Sequence, residues 1–242
     1  MEFSEFKRLF LASMEQNGLQ APTEDAILKL HTFSEYLLEI NTSMNLTAIR
    51  NIPDVICKHL VDSLMVSPLI PAGAKVLDLG CGPGFPSMPL AICRPDLRIT
   101  ALDSTAKKIG FVSDAAKKCG LDNITPVSGR AEDAVLRKKL GEFDYVVSRA
   151  VARMNILCEL CLPYLKKDGV LLAMKGAKAD EEFAEAKRAI QTLGGNDGEL
   201  ISQKLILPDS LEEARAILKV VKTGTTPKGY PRAYAAILKK PL

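Results

Sequence analysis

The 242-residue chain has no apolar run long enough to cross a membrane as a helix. Its start, Met1-Glu2-Phe3-Ser4-Glu5, lacks the basic and then apolar stretches of a secretory signal. It has no G-x-x-x-x-G-K-[ST] loop, which argues against ordinary nucleotide hydrolysis. Internal repeats and low-complexity segments are also missing. Charge of one sign is scarce: the net charge is only +3, so any nucleic-acid partner must be argued from where the charges fall. The six cysteines (Cys57, Cys81, Cys93, Cys119, Cys158 and Cys161) are scattered through mostly apolar surroundings. Without a secretory signal they read as reduced thiols of a cytoplasmic protein. Cys158 and Cys161 form a C-x-x-C, but in a helix-like segment with no second pair, so no metal site is expected.

What is present is a core-forming composition, 47% hydrophobic. Residues 1–70 read as helical. Phe3, Phe6, Leu9, Phe10 and Met14 recur at helical spacing up to Gly18. Thr23 suits the N-cap of a second helix carrying Ile27, Leu30, Phe33, Leu37 and Ile40. Residues 41–51 read as a loop, and a third helix follows Pro53. From Lys75 the pattern alternates. Strands are expected at 75–79, 98–102, 124–127, 143–147, 169–174, 200–207 and 214–222, with helices near 86–94, 105–119, 153–165 and 178–193. This predicts an α/β fold: a doubly wound, Rossmann-like, mostly parallel seven-stranded sheet with an antiparallel edge hairpin and a helical N-terminal cap. The expected division is a cap at 1–70, a cofactor-binding domain at 71–222 and a basic tail at 223–242.

The most informative stretch is Val76-Leu77-Asp78-Leu79-Gly80-Cys81-Gly82-Pro83-Gly84. An apolar strand runs into three alternating glycines, a turn that lets backbone approach a ligand where a Cβ would collide. Gly84 follows Gly82 by two positions, where a dinucleotide fingerprint needs three. Pro83 and Phe85 crowd a turn that would otherwise receive a pyrophosphate. With Asp78 at the strand end, the pattern resembles motif I of S-adenosylmethionine (SAM) methyltransferases, and SAM is favoured over NAD.

In such sheets the ligand lies beyond the carboxyl ends of the strands. The second strand ends at Asp103-Ser104, about twenty residues after the glycine turn, where a carboxylate can accept both ribose hydroxyls. The third is followed by Gly129-Arg130-Ala131-Glu132-Asp133, with Ala131 and Glu132 the favoured adenine neighbours. The fourth gives Ser148-Arg149-Ala150 and the fifth Lys175-Gly176. Each has a plainer reading. Asp78 either touches the ligand or anchors the turn through backbone N–H groups, Asp103 is alternatively a helix N-cap, and Glu132-Asp133 a solvated loop.

Methyl transfer needs alignment and exclusion of water, and a base only when the acceptor carries a proton. The fourth strand offers Ser148-Arg149-Ala150 in place of the Asn/Asp-Pro-Pro-Tyr/Phe of exocyclic-amine methyltransferases, and no cysteine follows a proline there. A cationic, base-free site suits a ring nitrogen such as guanine N7. After Glu213 there is no acidic residue, whereas Arg215, Lys219, Lys222, Lys228, Arg232, Lys239 and Lys240 are basic. Tyr230 lies among these cations in a proline-stiffened loop, a surface able to bind phosphates and stack a base.

The chain also carries Asn45-Leu46-Thr47-Ala48-Ile49, His59-Leu60-Val61-Asp62-Ser63-Leu64, Leu102-Asp103-Ser104, Gly129-Arg130-Ala131-Glu132, Ser148-Arg149-Ala150 and Tyr230-Pro231-Arg232. Together with the glycine turn these resemble the GidB family of bacterial 16S rRNA guanine-N7 methyltransferases over nearly the whole length. The resemblance implies SAM as cofactor and 16S rRNA or the small ribosomal subunit as partner. It implies SAM contacts at Gly80, Phe85, Ala131, Glu132 and Arg149, to which the residue reading adds Asp78, Gly82, Gly84, Asp103 and Ser104. Arg149 is the expected catalytic residue. Arg130, Lys175, Lys228, Tyr230 and Arg232 are expected toward RNA, with His59 and Asp62 on a cap over the pocket. Ser87 stands where the family usually has glycine, and Ala235 and Ile237 where its tail usually has glycine and proline, so residues 233–240 are expected to run as helix. Two other functions fit less well: methylation of a small molecule or protein, and RNA binding without catalysis.

Overall fold

The computed structural model describes all 242 residues. Helices α1 (Phe3–Gln16) and α2 (Glu24–Met44) open the chain, and Thr23 caps α2 by accepting the Ala26 N–H. A third helical segment starts as α3 (Ile52–Asp54), widens into a π-helical stretch (Val55–Val61) and closes as α4 (Asp62–Leu64). Next come β1 (Lys75–Leu79), α5 (Ser87–Cys93), β2 (Arg98–Asp103), α6 (Ala106–Lys118), β3 (Ile124–Ser128), α7 (Ala134–Leu140) and β4 (Phe143–Arg149). The chain continues through α8 (Met154–Cys161), β5 (Leu165–Lys175), α9 (Ala179–Thr192), β6 (Glu199–Ile206), β7 (Glu212–Val221) and α10 (Tyr234–Lys239).

The seven strands form one sheet in the order β3-β2-β1-β4-β5-β7-β6. The first five are parallel, and β7 runs antiparallel to both β5 and β6. Alternation along the strands feeds two cores. Val76, Ile99, Leu172 and Met174 face the N-terminal helices with α5 and α6, while Leu77, Leu79, Leu171 and Ala173 face α8 and α9. The N-terminal helices therefore share one apolar core with a face of the sheet. No helix is long and apolar enough to cross a membrane.

Two expectations need correction. Helix α2 runs through residues 41–44, where a loop was expected. Asn41 is buried on it and closes the following turn, bonding to the backbone of Thr47 and Ile49. Helix α7 was not expected at all. Its apolar face is only the half-buried pair Leu136 and Leu140, too short a stripe to reveal a helix, and Asp133 caps it by accepting from Val135 and Leu136 N–H. The expected C-terminal helix is present as α10, with Ile237 fully buried.

Candidate active site

The turn after β1 is tied to the end of β2. The Leu102 carbonyl accepts the Gly80 and Cys81 N–H groups at 2.7 and 3.1 Å. Gly80 has φ +77°, and a Cβ there would lie 2.3 Å from Val151 Cγ2; at Gly84, with φ +98°, it would lie 2.5 Å from Met88 Cγ. Both positions thus require glycine for conformation and for space. Beside the turn a cleft of ≈ 490 Å³ opens at the carboxyl ends of β1 to β4. Gly80, Gly82, Phe85, Asp103, Ser104, Arg130, Ala131, Glu132 and Arg149 all line it, so residues from four separate strand ends meet in one place.

Asp103 stands at the mouth of the turn. Its Oδ2 accepts the Gly82 N–H at 2.9 Å and its Oδ1 the Thr105 N–H at 2.8 Å. Thr105, and not Asp103, is the N-cap residue of α6. Each carboxylate oxygen keeps further lone-pair capacity toward the cleft. Asp78 lies elsewhere: it is fully buried beneath the turn and accepts the Ser87 N–H at 2.9 Å, bracing the start of α5. Its Oδ1 has no partner, and burial pushes its pKa up to about 7. Gly84 is likewise buried below the cleft wall.

Opposite the turn, Arg149 projects from the end of β4. Its Nη1 donates to Lys58 O at 2.9 Å and Asp62 Oδ2 at 2.7 Å, and its Nη2 donates to His59 Nδ1 at 3.1 Å. The π-helical turn makes this possible by presenting Lys58, His59 and Asp62 to one guanidinium. Because a guanidinium only donates, Nδ1 must hold a lone pair, so Nε2 carries the proton and donates to Thr47 Oγ1 at 2.7 Å. Burial, reinforced by the Arg149 charge, lowers the His59 pKa to about 4 and keeps the ring neutral. The ring stacks on Phe85 with centroids 4.3 Å apart, and Arg149 lies 5.2 Å from the Phe85 centroid. Asp62 is shared with a second arginine, Arg215 of β7, whose Nε donates to Oδ1 at 2.7 Å.

The residues expected toward RNA do not gather around one point. Lys175 pairs with Glu182 at 2.8 Å beneath the surface. Arg130 donates to Glu132 at 2.6 Å and lies 5.3 Å from the Tyr234 centroid. Arg232 bonds to the fully buried Glu159 through its backbone N–H, Nε and Nη2. Tyr230 sits under that guanidinium and packs on the core. Of the seven cations after Glu213, Arg215 and Arg232 are paired, Lys219 lies 3.7 Å from Glu199, and Lys222 is buried. Only Lys228, Lys239 and Lys240 stand exposed without an ion pair. The basic surface of the tail is thus smaller than its composition suggests.

Sequence reasoning missed Arg215 as a partner of Asp62 and Tyr234 as a cleft residue. For Tyr234 the available signal was its place at the start of the expected helix 233–240, just after the Tyr230-Pro231-Arg232 stretch. Nothing local distinguishes Arg215 from other strand cations.

Comparison with known proteins agrees with this architecture. A GidB family model, described as rRNA small subunit methyltransferase G, matches residues 26–205. The ribosomal RNA small subunit methyltransferase G of Desulforamulus reducens is 42% identical over 223 residues, covering 91% of this chain and 92% of the relative. That of Brevibacillus brevis is 45% identical over 218 residues, covering 87% and 88%. Among solved structures, an O-methyltransferase from Bacillus cereus in complex with SAH superposes with TM-score 0.57 at 15% identity, covering 91% of this chain and all of that one. A methyltransferase from Pyrococcus furiosus gives 0.55 at 13% identity, covering 80% and 98%. At such identity these two show the shared SAM-methyltransferase fold. With the family match and relatives above 40% identity, the chain belongs to the GidB family of rRNA small subunit methyltransferases.

Proposed function

We propose that this chain transfers a methyl group from SAM to N7 of a guanine in 16S rRNA, in the decoding region of the small ribosomal subunit. The observation that carries the choice of acceptor is that no group near Arg149 is free to take a proton. His59 is neutral with both nitrogens bonded, Asp62 holds two arginines, and Asp78 is buried away from the cleft. The acceptor must then be one with no proton to lose, as guanine N7 is and an exocyclic amine is not.

The cleft suits the cofactor. Its volume is near that of a small-molecule site, Asp103 has acceptor capacity for a ribose, and the backbone at Gly80 and Gly82 is open to close approach. When bound, SAM supplies a methyl group on a sulfonium, with a good leaving group already in place. The chain's residues supply the rest. Asp103 orients the ribose, Ala131 and Glu132 border the base, and Phe85 and His59 form an apolar wall that excludes water. Arg149, held by its three acceptors, fixes the cationic side of the acceptor pocket. Holding two reactants in line is worth effective molarities on the order of 10⁵–10⁸ M, enough to make orientation the main contribution.

In this reading residues 1–70 cap the sheet and shape the RNA entrance, 71–222 hold the cofactor, and 223–242 add Lys228, Lys239 and Lys240 to the RNA surface. The enzyme would work in the cytoplasm, where ribosomal subunits are assembled. The test is nucleoside analysis of small subunits lacking the modification after incubation with methyl-labelled SAM. The label is expected in 7-methylguanosine. Label in another nucleoside or in protein contradicts the acceptor, and no label contradicts the substrate.

A further inference from the structure

We propose that Tyr234, on the C-terminal helix α10, is the wall against which the adenine ring of the cofactor packs. The tail beyond the family-matched residues is then part of the cofactor site as well as a cation-bearing extension. The inference rests on the SAM reading above.

Three observations carry it. The first is position. Tyr234 lines the cleft together with Gly129, Arg130, Ala131, Glu132 and Leu160. In the strand order β3-β2-β1-β4, the loop after β3 and the end of β4 bound opposite sides of the site, and Asp103 of β2 lies between them. A ribose held by Asp103 directs its base toward the β3 side and its sulfonium toward Arg149. Tyr234 is on the base side.

The second is anchorage. The segment before α10 is fixed to α8 by the fully buried Glu159, which accepts from Arg232 N at 2.9 Å, Nε at 2.8 Å and Nη2 at 2.6 Å. Ile237, three residues beyond Tyr234, is fully buried in the core that α8 shares. A buried carboxylate with three charge-assisted or backbone bonds holds its partner far more firmly than an exposed pair does.

The third is a direct link to the adenine loop. The Arg130 guanidinium donates to Glu132 at 2.6 Å and lies 5.3 Å from the Tyr234 ring centroid. Such a cation–π contact ties the ring to the loop that borders the base. Tyr234 is half-buried, so its ring stays in reach of a ligand in the cleft. Aromatic rings are effective partners for any nucleobase because every base presents a π-face.

Binding of S-adenosylhomocysteine to the full chain, without RNA, tests this by titration calorimetry. Tyr234→Ala and Tyr234→Leu are expected to raise Kd about tenfold, and Tyr234→Phe to change it less than about twofold. The leucine variant fills the space without a π-system, which guards against a loss of packing in the alanine variant. Limited trypsin digestion gives a second readout. Saturating ligand should slow cleavage after Lys228 and Arg232 in the wild-type chain and not in Tyr234→Ala. Wild-type affinity in both the alanine and leucine variants, with ligand protection unchanged, would overturn the role of Tyr234 while leaving the SAM reading intact. Failure of the wild-type chain itself to bind would overturn the SAM reading and this inference with it.

Discussion

Arg149 and His59 illustrate how single side chains are fixed by hydrogen-bond capacity. Four atoms (Lys58 O, Asp62 Oδ2, His59 Nδ1 and Thr47 Oγ1) determine both the guanidinium orientation and the imidazole tautomer. Removing the guanidinium should disturb alignment and, because it also leaves Asp62 one partner short, cost stability as well, so the rate is read on chain shown to be folded. Arg149→Ala is expected to lower single-turnover methyl transfer on the order of 10²-fold, since small misplacements of reacting groups carry costs of that size. An unchanged rate would reduce Arg149 to a structural residue. Asp103→Ala should weaken SAM binding about 10- to 100-fold, as expected for losing hydrogen bonds to a charged group, with RNA affinity nearly intact. Equal SAM affinity in the variant would remove the ribose role. Asp78 makes a prediction about pH. Its folded pKa of about 7 lies above the ordinary carboxylate value, so its favourable contribution to stability is complete at low pH and is lost as pH rises through 7. Asp78→Asn cannot ionise, so its stability relative to wild type should improve between about pH 4 and 7, with a slope approaching one proton. Urea unfolding across that range measures it, and a constant difference between the two chains would contradict the assignment.

At the level of elements, much of this protein was legible, and the exceptions have physical causes. Strand β1 and its glycine turn stand out because an apolar run and obligatory glycines are both local signals. The N-cap at Thr23 was legible for the same reason, and Thr23→Ala should cost about 1 kcal/mol of unfolding free energy. Helix α7 was hidden because Val135 is 80% exposed and no residue of the helix is buried. The end of α2 was hidden by a buried polar residue, Asn41, whose bonds lie in the following turn. Composition made the chain after Glu213 look uniformly cationic, but Arg215 is taken up by Asp62 on a distant element together with its neighbour Glu213, and Arg232 by the distant Glu159. The same holds for the acceptors of Arg149, which come from residues 87 to 91 positions away. The Asp62–Arg215 pair joins α4 to the edge hairpin, and Asp62 is nearly buried. Arg215→Ala should destabilise the chain on the order of 3 kcal/mol by leaving Asp62 one partner short, a loss readable in urea unfolding.

For the whole molecule, the doubly wound sheet explains why residues scattered from Leu46 to Tyr234 meet at one cleft. Parallel strands place all their carboxyl ends on one edge, and the N-terminal helices and C-terminal tail close over it from opposite sides. A net charge of +3, with few unpaired cations in the tail, leaves RNA recognition to shape and a small number of phosphate contacts. The most direct measurement is methyl transfer to unmodified small subunits, mapped along 16S rRNA by strand cleavage selective for 7-methylguanosine. The account predicts one cleavage, at a single guanosine in the decoding region, appearing on the order of 10²-fold more slowly with the Arg149→Ala chain. Cleavage spread over many guanosines, or none despite bound SAM, would contradict it.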